Sequence, residues 1–221
     1  MIRAIIFGST GMVGEGVAHE CILDDRVEKV LLINRGPAPI ESPKLTELLE
    51  SDFFDLSGIE DQLAGYNACY FCMGISSVGQ KEADYHKITY DMTLYIASLL
   101  LKLNDDMTFI YVSGAGTDGS EQGRSMWARV KGKTENAIMN LGFRDAYAFR
   151  PGYIQPTKGL HNAYKIYSWL GFLYPMLRAI FPKYVTTLKE IGVAMINLTL
   201  QPDSNKVVEC KDIVRLAHGN S

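Results

Sequence analysis

The chain has 221 residues, 47% of them hydrophobic and 21% charged, with a formal net charge of −3 and a pI near 5.8. This length suits one α/β domain with a sizeable core. The small acidic excess argues against the basic surface that nucleic-acid-binding proteins present, so no nucleic acid is expected among the partners.

Strands and helices are predicted to alternate along the first 150 residues. An apolar, β-branched run at 2–7 is typical of a parallel strand covered on both faces, and helical periodicity follows it. The predicted strands are 2–7, 30–33, 45–49, 68–72, 109–112 and 146–149, and the predicted helices are 12–24, 55–63, 82–104 and 123–141. Repeated strand–helix–strand units predict an α/β fold with a doubly wound parallel sheet and right-handed crossovers.

The character of the sequence changes after Gly152. An aromatic-rich stretch at 160–182 precedes an amphipathic helix at 186–200 and a short edge strand at 206–210. We therefore expect one domain, 1–221, in which 153–221 forms a small C-terminal helical cap over the carboxyl edge of the sheet and holds the substrate region. Pro175 and Arg178 interrupt the apolar segment 168–182, so no membrane span is expected; a lid, a homodimer contact or an interfacial helix stay open.

A glycine-rich turn joins the first strand to the first helix. It reads Gly8-Ser9-Thr10-Gly11-Met12-Val13-Gly14. In such a turn one glycine permits the tight bend, one lets the backbone approach a diphosphate, and one lets helix and strand pack closely. The start of the helix offers unpaired N–H groups to the phosphates, so the sequence predicts a Rossmann-type dinucleotide site.

Residues at the ends of the next strands predict the rest of the cofactor site. Asn34 and Arg35 stand where an acidic residue would bind the ribose of NAD, and an arginine there favours NADP(H) over NAD(H). Asp52 or Asp55 is expected to accept from the adenine, with Phe53 beside it. The end of the fourth strand is expected to pass close to the cofactor at Cys72, Met73 and Gly74.

Three further motifs make the chain resemble the atypical short-chain dehydrogenase/reductase superfamily over about residues 1–155. They are Val112-Ser113-Gly114, Trp127-Ala128-Arg129-Val130-Lys131 and Phe149-Arg150-Pro151-Gly152. More narrowly, the chain is similar to Tat-interacting, oxidoreductase-like members and to bacterial sugar-nucleotide epimerases. The resemblance implies that Ser113 positions the substrate oxygen, that Lys131 binds the ribose, and that Pro151 and Gly152 lie near the cofactor.

The resemblance fails at Trp127, which occupies the position of the family's proton-transferring tyrosine. An indole N–H is a donor only. We therefore carry two hypotheses. One is an NADP(H)-dependent oxidoreductase or epimerase-like enzyme acting on an unidentified small carbonyl or alcohol. The other is a non-catalytic NADPH sensor or protein-interaction module. Tyr90, Tyr111 and Tyr153 could replace the missing phenol, although Tyr111 reads as a core residue.

Cys69 and Cys72 share C-x-x-C spacing inside a predicted strand. Residues three apart in a strand point to opposite faces, so buried free thiols and no metal site are expected. The N-terminal residues read as a first strand and not as a signal peptide. With no cysteine framework, a cytoplasmic location is expected.

Overall fold

The computed structural model describes residues 1–162 and 174–219. Its main sheet has seven parallel strands in the order β3-β2-β1-β4-β5-β6-β9, and β7 and β8 form a separate parallel pair. The strands are β1 Ile2–Phe7, β2 Val27–Asn34, β3 Leu45–Leu49, β4 Ala68–Phe71, β5 Thr108–Val112, β6 Asp145–Arg150, β7 Tyr153–Gln155, β8 Val185–Thr187 and β9 Val207–Glu209. The predicted doubly wound Rossmann fold is confirmed.

The helices follow the strands as expected, with some differences in extent. They are α1 Met12–Leu23, α2 Glu60–Leu63, α3 Glu82–His86, α4 Met92–Leu103, α5 Met126–Met139, α6 Tyr174–Ile180, α7 Leu188–Leu200 and α8 Cys210–His218. A 3₁₀ turn, Ser57–Ile59, leads into α2, and a π-helical turn, Lys87–Asp91, joins α3 to α4. The helix predicted at 82–104 is therefore present but contains this π-helical turn.

The sheet has a hydrophobic core on each face because side chains alternate along its strands. Ile2, Ala4 and Ile6 of β1 belong to a core shared with α1, α7 and α8. Ile5 and Phe7 belong to the opposite core, against α4 and α5. Helices thus cover both faces, as the uninterrupted apolar strands require.

Part of the C-terminal region is built into the main layers. The helix α7 packs on α1, where a Cβ on Gly192 would lie 2.7 Å from Cβ of Glu20. The strand β9 extends the sheet beside β6. The pair β7–β8 and the helix α8 were not predicted; β7 and β8 have three residues each, too few to show a period.

Of the aromatic stretch 160–182, residues 163–173 lie outside the described residues. Among the helices that the structure describes, none is long and apolar enough to cross a bilayer. The described remainder of the stretch includes α6, whose Met176 and Ile180 are exposed.

The C-x-x-C pair divides between the two cores, as predicted. Cys69 lies in the core beneath α4, and Cys72 packs against the core on the α1 side. All four cysteines are free thiols, and burial raises the pKa of Cys72 to about 12. These thiols are therefore protonated at neutral pH.

Candidate functional site: the carboxyl edge of β1, β4 and β5

The candidate cofactor site lies where the strand order reverses, between β1 and β4. Ligands of open α/β sheets bind in the crevice at such a switch point. Gly8 ends β1 with a positive φ of +84°, and a Cβ there would lie 2.8 Å from Cα of Met73. Only glycine lets the two strand ends approach this closely while keeping that backbone conformation.

The glycine turn leaves the start of α1 open. The Gly11 N–H donates to the Gly8 carbonyl at 3.1 Å, and no side chain caps the helix. Thr10 and Gly11 are exposed, whereas Gly14 is buried so tightly that a Cβ would lie 2.2 Å from the Gly8 oxygen. The first amides of a helix have no intrahelical acceptor, so this uncapped turn suits a phosphate group.

Two adjoining hollows open in front of this turn, with volumes of about 150 and 290 Å³. Arg35, Phe53, Met73 and Gly74 line both. The smaller hollow brings together most of the predicted cofactor residues: Gly8, Thr10, Gly11, Asn34, Arg35, Phe53, Cys72, Met73 and Gly74. Asp52 lines only the larger and more apolar hollow.

Asn34 and Ser9 support the turn through hydrogen bonds to each other. Asn34 is buried; its Oδ1 accepts from the Ser9 N–H at 3.1 Å, and its Nδ2 donates to Ser9 Oγ at 2.7 Å. The same Nδ2 also donates to Glu47 Oε1 at 2.8 Å. Both side chains therefore hold the turn in place, and their expected contact with the cofactor stays a prediction.

Arg35, Asp52 and Phe53 line the hollows near the end of β2. The Arg35 side chain is exposed and has no ion pair or hydrogen bond to the part of the chain that the structure describes. Asp52 is exposed, and its Oδ1 accepts from the Phe54 N–H at 2.8 Å. Phe53 is buried edge-on against Phe7 at 6.1 Å between ring centres.

Ser113 lies at the end of β5, but its hydroxyl has internal partners. Its Oγ donates to the Glu135 carboxylate and, at 3.1 Å, lies against the Phe149 carbonyl oxygen. Glu135 is 1% exposed and pairs with Arg150, whose Nε is 3.0 Å from Oε1. The hydroxyl therefore belongs to a buried network that joins β5, α5 and β6.

Lys131 and Trp127 come together beside Ser113. Lys131 Nζ donates to the Ser113 carbonyl at 2.6 Å, and the protein packed around the ammonium lowers the pKa of Lys131 to about 8 against the opposing effect of Glu135. Trp127 is half-buried, and its Cη2 would be 3.5 Å from a Cβ on Gly116. The structure thus brings the three predicted catalytic positions together at one strand end.

Pro151 and Gly152 lie on the far side of this strand end. The Pro151 carbonyl accepts from the Ala115 N–H at 2.9 Å, and a Cβ on Gly152 would lie 2.4 Å from the Tyr184 oxygen. They do not line the hollows around the glycine turn. They join the turn after β5 to the segment before β8.

Of the three candidate tyrosines, Tyr111 has its ring centre 5.8 Å from Lys131 Nζ. Tyr111 is buried, and that burial raises its pKa, so its prediction as a core residue is confirmed. Tyr153 donates to Gln155 at 3.0 Å, and the Tyr90 ring lies 4.7 Å from that of His86.

Glu135 and Glu15 were missed by sequence reasoning. Glu135 follows Lys131 by four residues on α5, and that helical spacing was a usable signal. Glu15 is buried in the first turn of α1 and accepts from the backbone N–H groups of His161 and Asn162, both at 2.7 Å. These partners are 146 and 147 residues away, so only the fold reveals them.

Sequence relatives of the chain include fungal Fmp52 proteins. "Protein fmp52-2, mitochondrial" of Aspergillus oryzae is 29% identical over an alignment of 229 positions, gaps included, that covers 98% of this chain and 97% of the relative. No protein-family profile matches the chain.

Solved structures with a similar fold include sugar-nucleotide epimerases and a reductase domain, PhqB of Penicillium fellutanum. MoeE5 in complex with UDP-glucuronic acid and NAD has a TM-score of 0.67 at 14% identity, covering 93% of this chain and 74% of that one. A UDP-N-acetylglucosamine 4-epimerase from Methanobrevibacter ruminantium has a TM-score of 0.65 at 19% identity, covering 94% and 75%. These likenesses confirm the predicted fold. MoeE5 and the Bordetella bronchiseptica enzymes WbmG and WbmH were solved in complex with NAD.

The same relatives correct the expected location. Fmp52 proteins from several fungi are named as mitochondrial, which contradicts the cytoplasmic assignment. That assignment rested on the N-terminal residues and the cysteine count, and neither feature reports on an organelle.

Proposed function

We propose that this chain binds NADP(H) and acts as an oxidoreductase or epimerase-like protein on a small carbonyl or alcohol. The observation that carries the proposal is the uncapped, exposed start of α1, which opens onto the hollows at the switch point. An anion there would gain unpaired N–H groups and the positive end of the helix.

Backbone amides and one arginine would bind different parts of the cofactor. Backbone N–H groups of Thr10, Met12 and Val13 would face the diphosphate, and the unpaired guanidinium of Arg35 suits a 2′-phosphate. When bound, the nicotinamide supplies the hydride chemistry. Lys131, with a pKa of about 8, can hold or release a proton near neutral pH.

Cofactor choice is tested by titrating NADPH and NADH into wild type and Arg35→Ala by calorimetry. We expect the variant to lose about tenfold in NADPH affinity while NADH binding changes less than about twofold, since only NADPH carries the phosphate. Lys189→Ala, which removes a charge from an exposed residue of α7, is the matched control. An unchanged NADPH preference in Arg35→Ala would show that this arginine does not select the cofactor.

A second candidate is a non-catalytic NADPH-binding protein. It is favoured by Trp127 at the tyrosine position and by the Ser113 hydroxyl, which donates to Glu135 inside the protein. Such a protein would bind NADPH but lack both the usual proton donor and a free serine hydroxyl.

Turnover separates the two candidates. We expect NADPH oxidation with at least one member of a panel of aldehydes and sugar nucleotides, and a higher rate in Trp127→Tyr, which restores a phenol four residues before Lys131. Tight NADPH binding with no turnover in either protein would refute the enzyme and support the sensor.

A further inference from the structure

A second cavity, of about 250 Å³, lies away from the hollows of the cofactor site. Its wall is formed by three segments: 115–116 in the turn after β5, 183–184 before β8, and 209–211 at the junction of β9 and α8. These segments come from distant parts of the sequence, so the cavity exists only in the folded chain.

The cavity adjoins the strand end that carries the predicted catalytic positions. Gly116 lines the cavity, and a Cβ added at Gly116 would lie 3.5 Å from Cη2 of Trp127. Ala115 follows Ser113 by two residues, and Lys131 donates to the Ser113 carbonyl. A molecule in the cavity would therefore be separated from Trp127 by a single turn of backbone.

The cavity wall has a positive electrostatic character in a chain whose net charge is −3. Lys183 and Lys211 both line it, and neither has an ion pair or hydrogen bond to the residues described, 1–162 and 174–219. Glu209 also lines it, but Arg150 Nη1 donates to its carboxylate at 3.2 Å. Arg150 is shared between Glu209 and Glu135, so the wall holds two lysine charges against one partly paired carboxylate.

We propose that this cavity binds an anionic end of the substrate, a phosphate or a carboxylate, while the reacting carbonyl or alcohol lies on the Trp127 side of the turn. The proposal rests on the function proposed above and names its substrate class. About 250 Å³ is below the usual 300–1,000 Å³ of a whole ligand pocket, which suits one end group. Two ammonium groups would pair with that anion by charge-assisted hydrogen bonds.

The test uses the NADPH-saturated protein, so that the start of α1 is already filled. Inorganic phosphate and, separately, acetate are titrated at constant ionic strength, with calorimetry and with the amide resonances of Gly116 and Lys211 as local reporters. We expect saturable shifts of both amides with at least one anion. The tighter of the two anions identifies the end group as phosphate or carboxylate.

Two variants, one double and one single, decide the assignment. In the double variant Lys183→Gln/Lys211→Gln we expect anion affinity to fall at least about tenfold, with NADPH affinity unchanged, because two charged hydrogen bonds are lost. The exposed Lys189→Gln is the matched control and should bind the anion as wild type does. Shifts that do not saturate, or equal anion affinity in the double variant, would overturn the site.

The readout also separates this inference from the cofactor proposal. The Gly116 and Lys211 amides report on the cavity and not on the start of α1. A chain that shows these shifts but binds no NADPH would refute the proposed function and leave the anion site standing. A chain that binds NADPH without these shifts would refute the anion site and leave the proposed cofactor binding standing.

Discussion

At the scale of single residues, Gly14 is the clearest link between sequence and site. Its missing side chain is what lets α1 begin directly beside the end of β1, since a Cβ would lie 2.2 Å from the Gly8 oxygen and 2.9 Å from the Ser9 Cα. Both contacts are with backbone, which cannot rotate away. The glycine pattern is therefore a packing requirement as well as a ligand-binding one.

We expect Gly14→Ala to lower the free energy of unfolding by about 2 kcal/mol or more and to weaken NADPH binding, because the turn must shift to admit the methyl group. Urea denaturation and calorimetry measure both effects. Gly36→Ala is the control: a Cβ there has no atom within 4 Å, and we expect a change within about 0.5 kcal/mol. Wild-type stability and affinity in Gly14→Ala would contradict the close approach.

Lys131 makes a pH-dependent contribution to stability at the same scale. Burial lowers its pKa from 10.5 to about 8, so between these values the unfolded chain holds the proton and the folded chain has released it. Stability due to this group therefore rises with pH across that window and is lowest below pH 8, where the ammonium stays charged inside the protein.

We expect the unfolding free energy of wild type to rise relative to that of Lys131→Met as the pH rises from 8 to 10.5. Urea denaturation at several pH values measures it, and taking the difference removes tyrosines and cysteines that titrate nearby. The same series with Lys189→Met should stay flat. A flat series for Lys131→Met would mean that this lysine titrates normally.

At the scale of elements, α5 carries two of the predicted catalytic residues and the glutamate that binds the third, Ser113. Trp127 and Lys131 face the turn after β5, while Glu135, one turn further along, connects to Ser113 and Arg150. Because residues four apart share a helix face, one helix positions all three. The serine hydroxyl consequently links β5 to α5.

Ser113→Ala tests whether this link is structural. We expect a loss of about 1 kcal/mol in unfolding free energy, since a buried acceptor loses its donor, with NADPH affinity within about twofold of wild type. Ser98→Ala, at an exposed position of α4, provides the comparison. If instead stability is unchanged and turnover falls by about a hundredfold, Ser113 acts on the substrate as the family resemblance implies.

At the scale of the whole molecule, the C-terminal region completes the fold around the site. The helix α7 buries Leu188, Ile191 and Met195 fully in the core that α1 shares. The strand β9 supplies Glu209 as a partner of Arg150, and the start of α8 forms part of the cationic cavity. The fold therefore forms the hollows in front of α1 and, away from them, the cavity at the start of α8.

The sequence alone determined the layered α/β fold and the glycine turn, because strand and helix periods and glycine geometry are local properties. It also located Arg35, Trp127 and Lys131, since motif spacing places them at strand ends and on one helix face. The tertiary structure decided which polar atoms remain free. It alone showed Asn34 held by Ser9 and Glu47, the serine hydroxyl bonded to Glu135, and two lysines meeting at one cavity. Such pairings depend on long-range contacts between distant segments, and no local pattern encodes them.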